Sequence, residues 1–224
     1  MRDKRTALVL GATGLVGSKL VRLLNNDDAY TMITVPARRD SDVSGEKVKQ
    51  HIIDFDRMEE KVHLFKVDDV FCCLGTTMKK AGSREAFKKV DYHYVVQAAK
   101  HAKDAGTSRF LVITAMMANP RSSVFYNRVK GEVEEKLQTM GFEVLHIFRP
   151  SLLLGERNEQ RFAEELGMKI LPWLSFLMVG PAKKYRPVEA EGVAIAMKTA
   201  ALDNSQGIHI WESDSIIGMS RSGS

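Results

Sequence analysis

Residues 7–17 read Ala7-Leu8-Val9-Leu10-Gly11-Ala12-Thr13-Gly14-Leu15-Val16-Gly17. The apolar run predicts a short buried strand, and the glycines that follow, spaced G-x-x-G-x-x-G, predict a tight turn into a helix. Such a turn lets the backbone come close to a diphosphate, to which the first N–H groups of the helix can donate. We therefore expect a dinucleotide diphosphate to be bound by Gly11, Thr13, Gly14, Leu15 and Val16; a turn without a ligand is the alternative.

The rest of the chain alternates short apolar runs with longer amphipathic ones. Strands are predicted at residues 7–10, 32–35, 48–53, 69–74, 109–114, 143–148 and 207–211, and helices near 15–24, 84–105, 125–140 and 189–202. Apolar strands separated by helices are typical of a parallel sheet that is covered on both faces. We predict an α/β fold, a Rossmann-type doubly wound parallel sheet of about seven strands, in a single domain over residues 1–224. The alternation breaks at residues 155–187, where we expect a small C-terminal segment that covers the substrate.

The composition is that of a globular protein, with 44% hydrophobic and 27% charged residues in a chain of 224, and it excludes a disordered chain. The net charge of +5 is spread along the sequence, so we expect no nucleic-acid partner. No apolar stretch is long enough to span a membrane. Cys72 and Cys73 are adjacent, which suits neither a disulfide nor a zinc site. We expect two buried thiols, no metal and a reducing, cytoplasmic location.

The residues at the end of the second predicted strand indicate which cofactor is bound. Arg38 and Arg39 stand there, and two guanidinium groups match the 2′-phosphate of NADP(H). Asp40 follows them and could instead accept from the 2′-hydroxyl of NAD(H). We expect NADP(H) in preference to NAD(H).

Two further strand ends belong to the predicted dinucleotide site. Asp54 and Phe55 follow the third strand and are expected at the adenine edge, although Asp54 could equally cap the next helix. Leu74, Gly75 and Thr76 close the fourth strand, where the sheet edge faces the cofactor.

The predicted chemical site is a pair of side chains on one helix. Tyr126 and Lys130 stand four residues apart, so a phenol and an ammonium share one helix face. A fixed cation helps a tyrosine to pass a proton near neutral pH. Thr114, at the end of the fifth strand, could donate to the oxygen that Tyr126 protonates. The alternative is an ordinary amphipathic helix that carries this spacing by chance.

Together these stretches resemble the short-chain dehydrogenase/reductase family, of the extended or atypical kind. More narrowly, the chain is similar to the small atypical group around the Tat-interacting oxidoreductase and its bacterial relatives, labelled NAD(P)-binding or nucleoside-diphosphate-sugar epimerase-like. The resemblance lies in residues 11–17, 38–39, 71–77, 81–83, 125–132 and 149–155.

The resemblance implies roles for single residues. Tyr126 would be the general acid/base, Lys130 would bind the nicotinamide ribose, and Thr114 would orient the substrate carbonyl in place of a serine. The strap Pro150, Ser151, Leu152 and Leu153 would pass near the nicotinamide carboxamide. Met117 stands where relatives have glycine, and its bulk could crowd the substrate entrance.

The leading hypothesis is an NADP(H)-dependent oxidoreductase that transfers hydride to a carbonyl of an unnamed small-molecule substrate. One alternative is a dinucleotide-binding regulatory or sensor protein with little catalysis. Another is an enzyme like the sugar-nucleotide epimerases, although about 75 residues after Pro150 are few for a sugar-nucleotide domain. The resemblance also implies that the predicted helices that begin near Arg84 and Phe125 could build a homodimer.

Overall fold

The computed structural model describes residues 4–154 and 185–222. The strands in this part of the chain are β1 (Arg5–Leu10), β2 (Tyr30–Ala37), β3 (Val48–Ile52), β4 (Asp69–Cys72), β5 (Arg109–Ile113), β6 (Val144–Arg149), β7 (Leu153–Leu154), β8 (Val188–Glu189) and β9 (Gly207–Glu212). Seven of them form one sheet in the order β3-β2-β1-β4-β5-β6-β9. Every neighbouring pair in it is parallel. The predicted Rossmann-type sheet is confirmed, strand for strand.

Helices connect the strands. They are α1 (Leu15–Asn25), α2 (Met78–Ala81), α3 (Arg84–Lys88), α4 (Tyr94–Asp104), α5 (Phe125–Gln138), α6 (Ala190–Ala201) and α7 (Ser213–Ser222). A 3₁₀ segment covers Phe55–Phe65, and a π-helical turn, Lys89–His93, joins α3 to α4. The helix predicted over residues 84–105 therefore contains one widened turn.

The strand β1 shows how the sequence builds a core on both faces of the sheet. Its side chains alternate, so Ala7 and Val9 pack with α1 and α6, whereas Leu8 and Leu10 pack with α4 and α5. All four side chains are fully buried. Burying one leucine side chain contributes about 1.5–3 kcal/mol, so the two apolar layers hold the helices on the sheet.

The order of the strands places the candidate site. The chain runs outward from β1 to β2 and β3 on one side, and returns to β4, β5 and β6 on the other. Ligands of such sheets bind in the crevice at the carboxyl ends of the strands where the order reverses. Here that crevice lies between β1 and β4.

Two parts of the structure differ from the sequence prediction or extend it. The helix α7 was not predicted; it packs on α6 through the buried Ile216. Of the predicted substrate-covering segment 155–187, residues 155–184 lie outside the described residues. The described end of that segment leads into β8, which pairs with β7.

Candidate functional site

The glycine turn is shaped by close packing of backbone on backbone. Gly11 has a φ of +77°, and a Cβ on it would collide with the carbonyl of Cys73 at the end of β4. A Cβ on Gly17 would collide with the Gly11 carbonyl. These two positions therefore require glycine, because a side chain at either one would prevent α1 from starting this close to the ends of β1 and β4.

The first turn of α1 presents open hydrogen-bond donors to the crevice. Gly14 caps the helix in an extended conformation and offers no side-chain acceptor, and the first turn contains no acidic residue. The N–H groups of Leu15 and Val16 thus have no acceptor within the helix and lie at the positive end of the helix dipole. An anion is the ligand that such an end favours.

A cavity of about 490 Å³ lies over the carboxyl ends of β1, β2 and β4. It is lined by Gly11, Ala12, Thr13, Gly14, Pro36, Ala37, Arg38, Phe55, Cys73, Leu74, Gly75, Thr76, Lys80, Ala81, Ala86, Val90 and Tyr94. The structure thus brings together eight of the predicted cofactor residues. Sequence reasoning missed Lys80, Val90 and Tyr94, which reach the cavity from helices that come later in the chain.

A second cavity, of about 610 Å³, adjoins the first at Thr13, Ala37 and Arg38 and also contains Arg39. Both arginines are exposed. The carboxylate of Asp40 accepts a hydrogen bond of 2.5 Å from Gln50 on β3. The end of β2 therefore presents the two exposed guanidinium groups of Arg38 and Arg39 to a ligand. The neighbouring carboxylate of Asp40 already accepts a hydrogen bond from Gln50.

The adenine end of the predicted site is built by the residues after β3. Asp54 accepts a hydrogen bond of 2.9 Å from the Asp56 N–H and caps the 3₁₀ segment, which is the alternative that the sequence left open. Phe55 lines the cavity, and its ring lies 5.5 Å from that of Tyr94. Asp56 accepts from Lys89 at 2.7 Å and from Tyr94 at 2.8 Å. These two bonds lower the pKa of Asp56.

The ammonium group of Lys130 forms a buried ion pair. Its Nζ lies 2.7 Å from Asp91 Oδ1, with side chains that are 6% and 1% exposed. Burial is the largest single effect and lowers the pKa of Lys130, but the charge and hydrogen bond of Asp91 together with the charge of Tyr126 outweigh it, so the pKa is raised. A Cβ on Gly75 would lie 3.9 Å from Nζ, so the pair sits at the wall of the first cavity.

Asp91 is a buried residue beside the site that the sequence analysis did not single out. It stands on the π-helical turn, four residues from the buried Phe87 and four from the buried Val95. A carboxylate on the apolar face of a helix is rare unless it is paired. That pattern could have identified it from the sequence.

Tyr126 stands one turn before Lys130 on α5, as predicted. Its ring lies 5.5 Å from that of Phe87, and its charge, when ionised, would act on Lys130. The two groups are therefore neighbours in space as well as in sequence.

The hydroxyl of Thr114 is engaged elsewhere. It is 4% exposed and donates to Glu134 Oε1 at 2.6 Å, with the Phe148 carbonyl at 3.3 Å. Glu134 in turn accepts from the guanidinium of Arg149, which also contacts Glu212 at 3.2 Å. The role predicted for Thr114 would require its hydroxyl to turn away from Glu134.

The strap after β6 lies beside these residues. Its Pro150 carbonyl accepts from the Met116 N–H at 3.0 Å, and its Leu152 carbonyl accepts from Val188 at 2.9 Å. Leu153 continues the strap into β7. Met117 is 62% exposed and has a φ of +64°, a backbone conformation that favours glycine.

The remaining predictions concern thiols, metals and membranes. Burial raises the pKa of the Cys72 thiol to about 12, which makes it unreactive. Across residues 4–154 and 185–222, no cluster of three potential metal ligands is present. No helix of the same residues is both long and apolar enough to cross a bilayer.

The sequence as a whole matches a known family. The model of the NAD dependent epimerase/dehydratase family matches residues 7–215. The chain therefore belongs to that family.

Among curated relatives, the rat Protein HTATIP2 is 37% identical over 171 residues, which is 75% of this chain and 70% of the rat protein. The mitochondrial Protein FMP52 of Debaryomyces hansenii is 31% identical over 209 residues, 90% of each chain. These relatives confirm the resemblance to the group around the Tat-interacting oxidoreductase.

Solved structures share the architecture. The UDP-N-acetylglucosamine 4-epimerase from Methanobrevibacter ruminantium has a TM-score of 0.69 at 14% identity, covering 94% of this chain and 77% of its own. MoeE5 in complex with UDP-glucose and NAD has a TM-score of 0.71 at 14% identity, covering 97% and 81%. At this identity the likeness shows the fold alone.

Proposed function

We propose that the protein is an NADP(H)-dependent oxidoreductase of the short-chain dehydrogenase/reductase type that acts on a carbonyl compound or the matching alcohol. One observation carries the proposal: Lys130 is held charged beside Gly75 in the cavity wall, one helical turn from Tyr126. A phenol next to a fixed cation is suited to give a proton to a carbonyl oxygen.

The described residues fit a bound NADP(H). The open N–H groups of α1 suit the diphosphate, and Phe55 and Tyr94 offer apolar ring surface to the adenine. Arg38 and Arg39 suit the 2′-phosphate, which NAD(H) lacks. Relatives in fold support a nucleotide of this kind, since MoeE5 was solved with NAD.

The chain's own residues then handle the proton. When bound, the nicotinamide supplies or accepts the hydride. Tyr126 gives its proton to the carbonyl oxygen, and the charge of Lys130 stabilises the phenolate that remains. Lys130 would also donate to the ribose hydroxyls of a bound cofactor, since Asp91 uses only part of the donor capacity of an ammonium group.

A second candidate is a dinucleotide-binding regulatory protein with little turnover. The bond from Thr114 to Glu134 favours it, because that hydroxyl is then not free to hold a substrate oxygen. Such a protein would bind NADPH without consuming it.

The test is oxidation of NADPH by the purified protein against a panel of aldehydes, ketones and quinones. Tyr126→Phe should lower the rate by about 100–10,000-fold while it leaves NADPH binding intact. Tyr92→Phe is the matched control, since Tyr92 lies on the π-helical turn and its ring packs on Lys88. Turnover that survives in Tyr126→Phe refutes the proposed chemistry, and tight NADPH binding without turnover of any substrate supports the regulatory protein.

A further inference from the structure

A surface that is both basic and apolar lies where α3 and α5 begin. The guanidinium groups of Arg84 and Arg128 stand 5.2 and 5.8 Å from the centre of the Phe125 ring, which joins the two helix starts. Arg128 also donates a hydrogen bond of 2.8 Å to the Ser122 carbonyl, so the loop before α5 lies against the same place. The short helix α2 packs on α3. We define the α2–α5 surface by its exposed or half-buried members, Met78, Lys80, Arg84, Arg121, Val124 and Arg128.

The charge of the α2–α5 surface is positive and is not balanced nearby. Within residues 4–154 and 185–222, none of its four cations forms an ion pair with a carboxylate. Glu132 on α5 pairs instead with Lys88, at 3.1 Å. The carboxylate of Glu85, at the start of α3, accepts from its own N–H and from Ser83, and these bonds lower its pKa. Four cations beside this one carboxylate leave the surface open to an anionic partner.

Apolar side chains are exposed among these cations. Val124 directly precedes Phe125 and is 54% exposed, and Met78 stands two residues before Lys80 and is 37% exposed. A surface that binds only a dissolved polyanion gains nothing from exposed valine and methionine. An anionic bilayer, in contrast, attracts lysine and arginine through its head groups and takes up apolar side chains at the boundary with the acyl chains. The combination therefore favours a lipid surface over an acidic polypeptide.

We propose that the α2–α5 surface binds peripherally to an anionic lipid bilayer. Its cations contact the lipid head groups, and Met78 and Val124 enter the boundary layer beneath them. The helices α2 and α3 follow β4, and α5 follows β5, so the bilayer lies at the edge of the sheet where the candidate crevice opens. The proposal does not depend on the oxidoreductase chemistry, because neither Tyr126 nor Lys130 takes part.

The test is co-sedimentation of the purified protein with vesicles of phosphatidylcholine alone and of phosphatidylcholine with about 25% phosphatidylserine. The natural protein should bind the anionic vesicles and not the neutral ones. Binding should weaken as salt is added, because salt screens exposed charges. Poly-glutamate, offered without vesicles, tests the acidic polypeptide.

Removing two of the cations tests the electrostatic part of the contact. Each lysine or arginine near an anionic membrane contributes about fivefold to the partition coefficient, so Arg84→Gln/Arg121→Gln should lower it about 25-fold. Lys66→Gln/Lys100→Gln is the matched control, with the same loss of charge. Lys66 precedes β4 and Lys100 precedes β5, toward the opposite edge of the sheet, so the control pair should bind the vesicles like the natural protein. All four side chains are exposed, so neither pair of changes should unfold the chain.

Removing an apolar side chain tests the other part of the contact. Val124→Ser should lower the partition coefficient about fivefold. Because this contribution is not electrostatic, the loss should be the same at low and at high salt. Val124 stands at the N-cap of α5, where serine is a favoured residue, so the helix should remain folded. Val62→Ser is the control, because Val62 is 44% exposed on the 3₁₀ segment, outside this surface.

The outcomes decide the proposal in either direction. Salt-sensitive binding to the anionic vesicles, weakened in both surface variants and kept in both controls, supports it. No binding of the natural protein to these vesicles overturns it, as does equal binding to the neutral ones or an equal loss in a surface variant and its control. Binding to poly-glutamate without binding to vesicles assigns the surface to an acidic protein instead. None of these measurements involves NADPH turnover, so the proposed function is tested separately.

Discussion

Removing the two arginines at the end of β2 should change the choice of cofactor. Arg38 lines both cavities, whereas Arg39 lines only the second cavity. We therefore expect Arg38 to make the larger contribution to the binding of NADPH. A hydrogen bond to a charged group contributes about 1.5–3 kcal/mol. Both arginines are exposed and partly screened by salt, so we take the low end of that range, about 3 kcal/mol for the two together, with the larger share from Arg38.

The double variant Arg38→Ala/Arg39→Ala should therefore lose about 3 kcal/mol of NADPH binding, which is roughly a hundredfold in Kd. NADH has no 2′-phosphate, so its Kd should change by less than about threefold. Calorimetric titration of each variant with both nucleotides gives the two numbers directly. Added salt should weaken the NADPH binding of the natural protein more than that of the variant.

Arg57→Ala is the matched control for a lost surface charge. Arg57 is exposed, pairs with Glu60 and lines neither cavity, so both affinities should stay unchanged. Equal losses for NADPH and NADH in the double variant would refute the reading of Arg38 and Arg39 as phosphate ligands. A loss of NADH binding in Asp40→Ala alone would favour NAD(H) instead.

Two further predictions concern stability. His146 is fully buried, and burial, with His209 and Arg109 nearby, lowers its pKa to about 4. In the unfolded chain the same imidazole takes up its proton near pH 6.5. The free energy of unfolding should therefore fall by about 3 kcal/mol as the pH drops from about 6.5 to about 4. Urea unfolding of the natural protein and of His146→Asn across that range checks this, and an equal pH slope in both would contradict it. Met117→Gly should raise the free energy of unfolding by about 1 kcal/mol, because relief of the positive φ outweighs the added freedom of the unfolded chain. Urea unfolding of Met117→Gly tests this. A lower free energy of unfolding in the variant would show that contacts of the methionine side chain stabilise the fold by more than its backbone strain destabilises it.

The sheet could be predicted because its signals are local. Each strand is a short apolar run, and in parallel sheets covered on both faces such runs need no alternation with polar residues. Helix α7 was missed for the opposite reason. Its sequence is polar and rich in serine, and only its packing on α6 through Ile216 fixes it as a helix.

The candidate site was predicted where a motif lies within one turn, and was incomplete where the partners come from distant elements. The glycine turn and the Tyr126–Lys130 spacing need only local geometry. The partners of Lys130 and Thr114 lie on other segments, and spacing along the chain carries no information on them. Hence Asp91 was not foreseen, and neither was the bond that draws the Thr114 hydroxyl to Glu134.

One face of helix α5 carries three residues of the candidate site and its surroundings. Tyr126, Lys130 and Glu134 follow each other at intervals of four residues, and the latter two are buried against counter-charges from different elements, Asp91 and Arg149. Removing one partner of a buried ion pair costs about 3–5 kcal/mol, so the helix cannot rotate or slide without breaking both pairs. The two buried ion pairs thus hold α5, and with it the backbone of Tyr126, in one position on the sheet before any ligand arrives, as the proposed proton transfer would require.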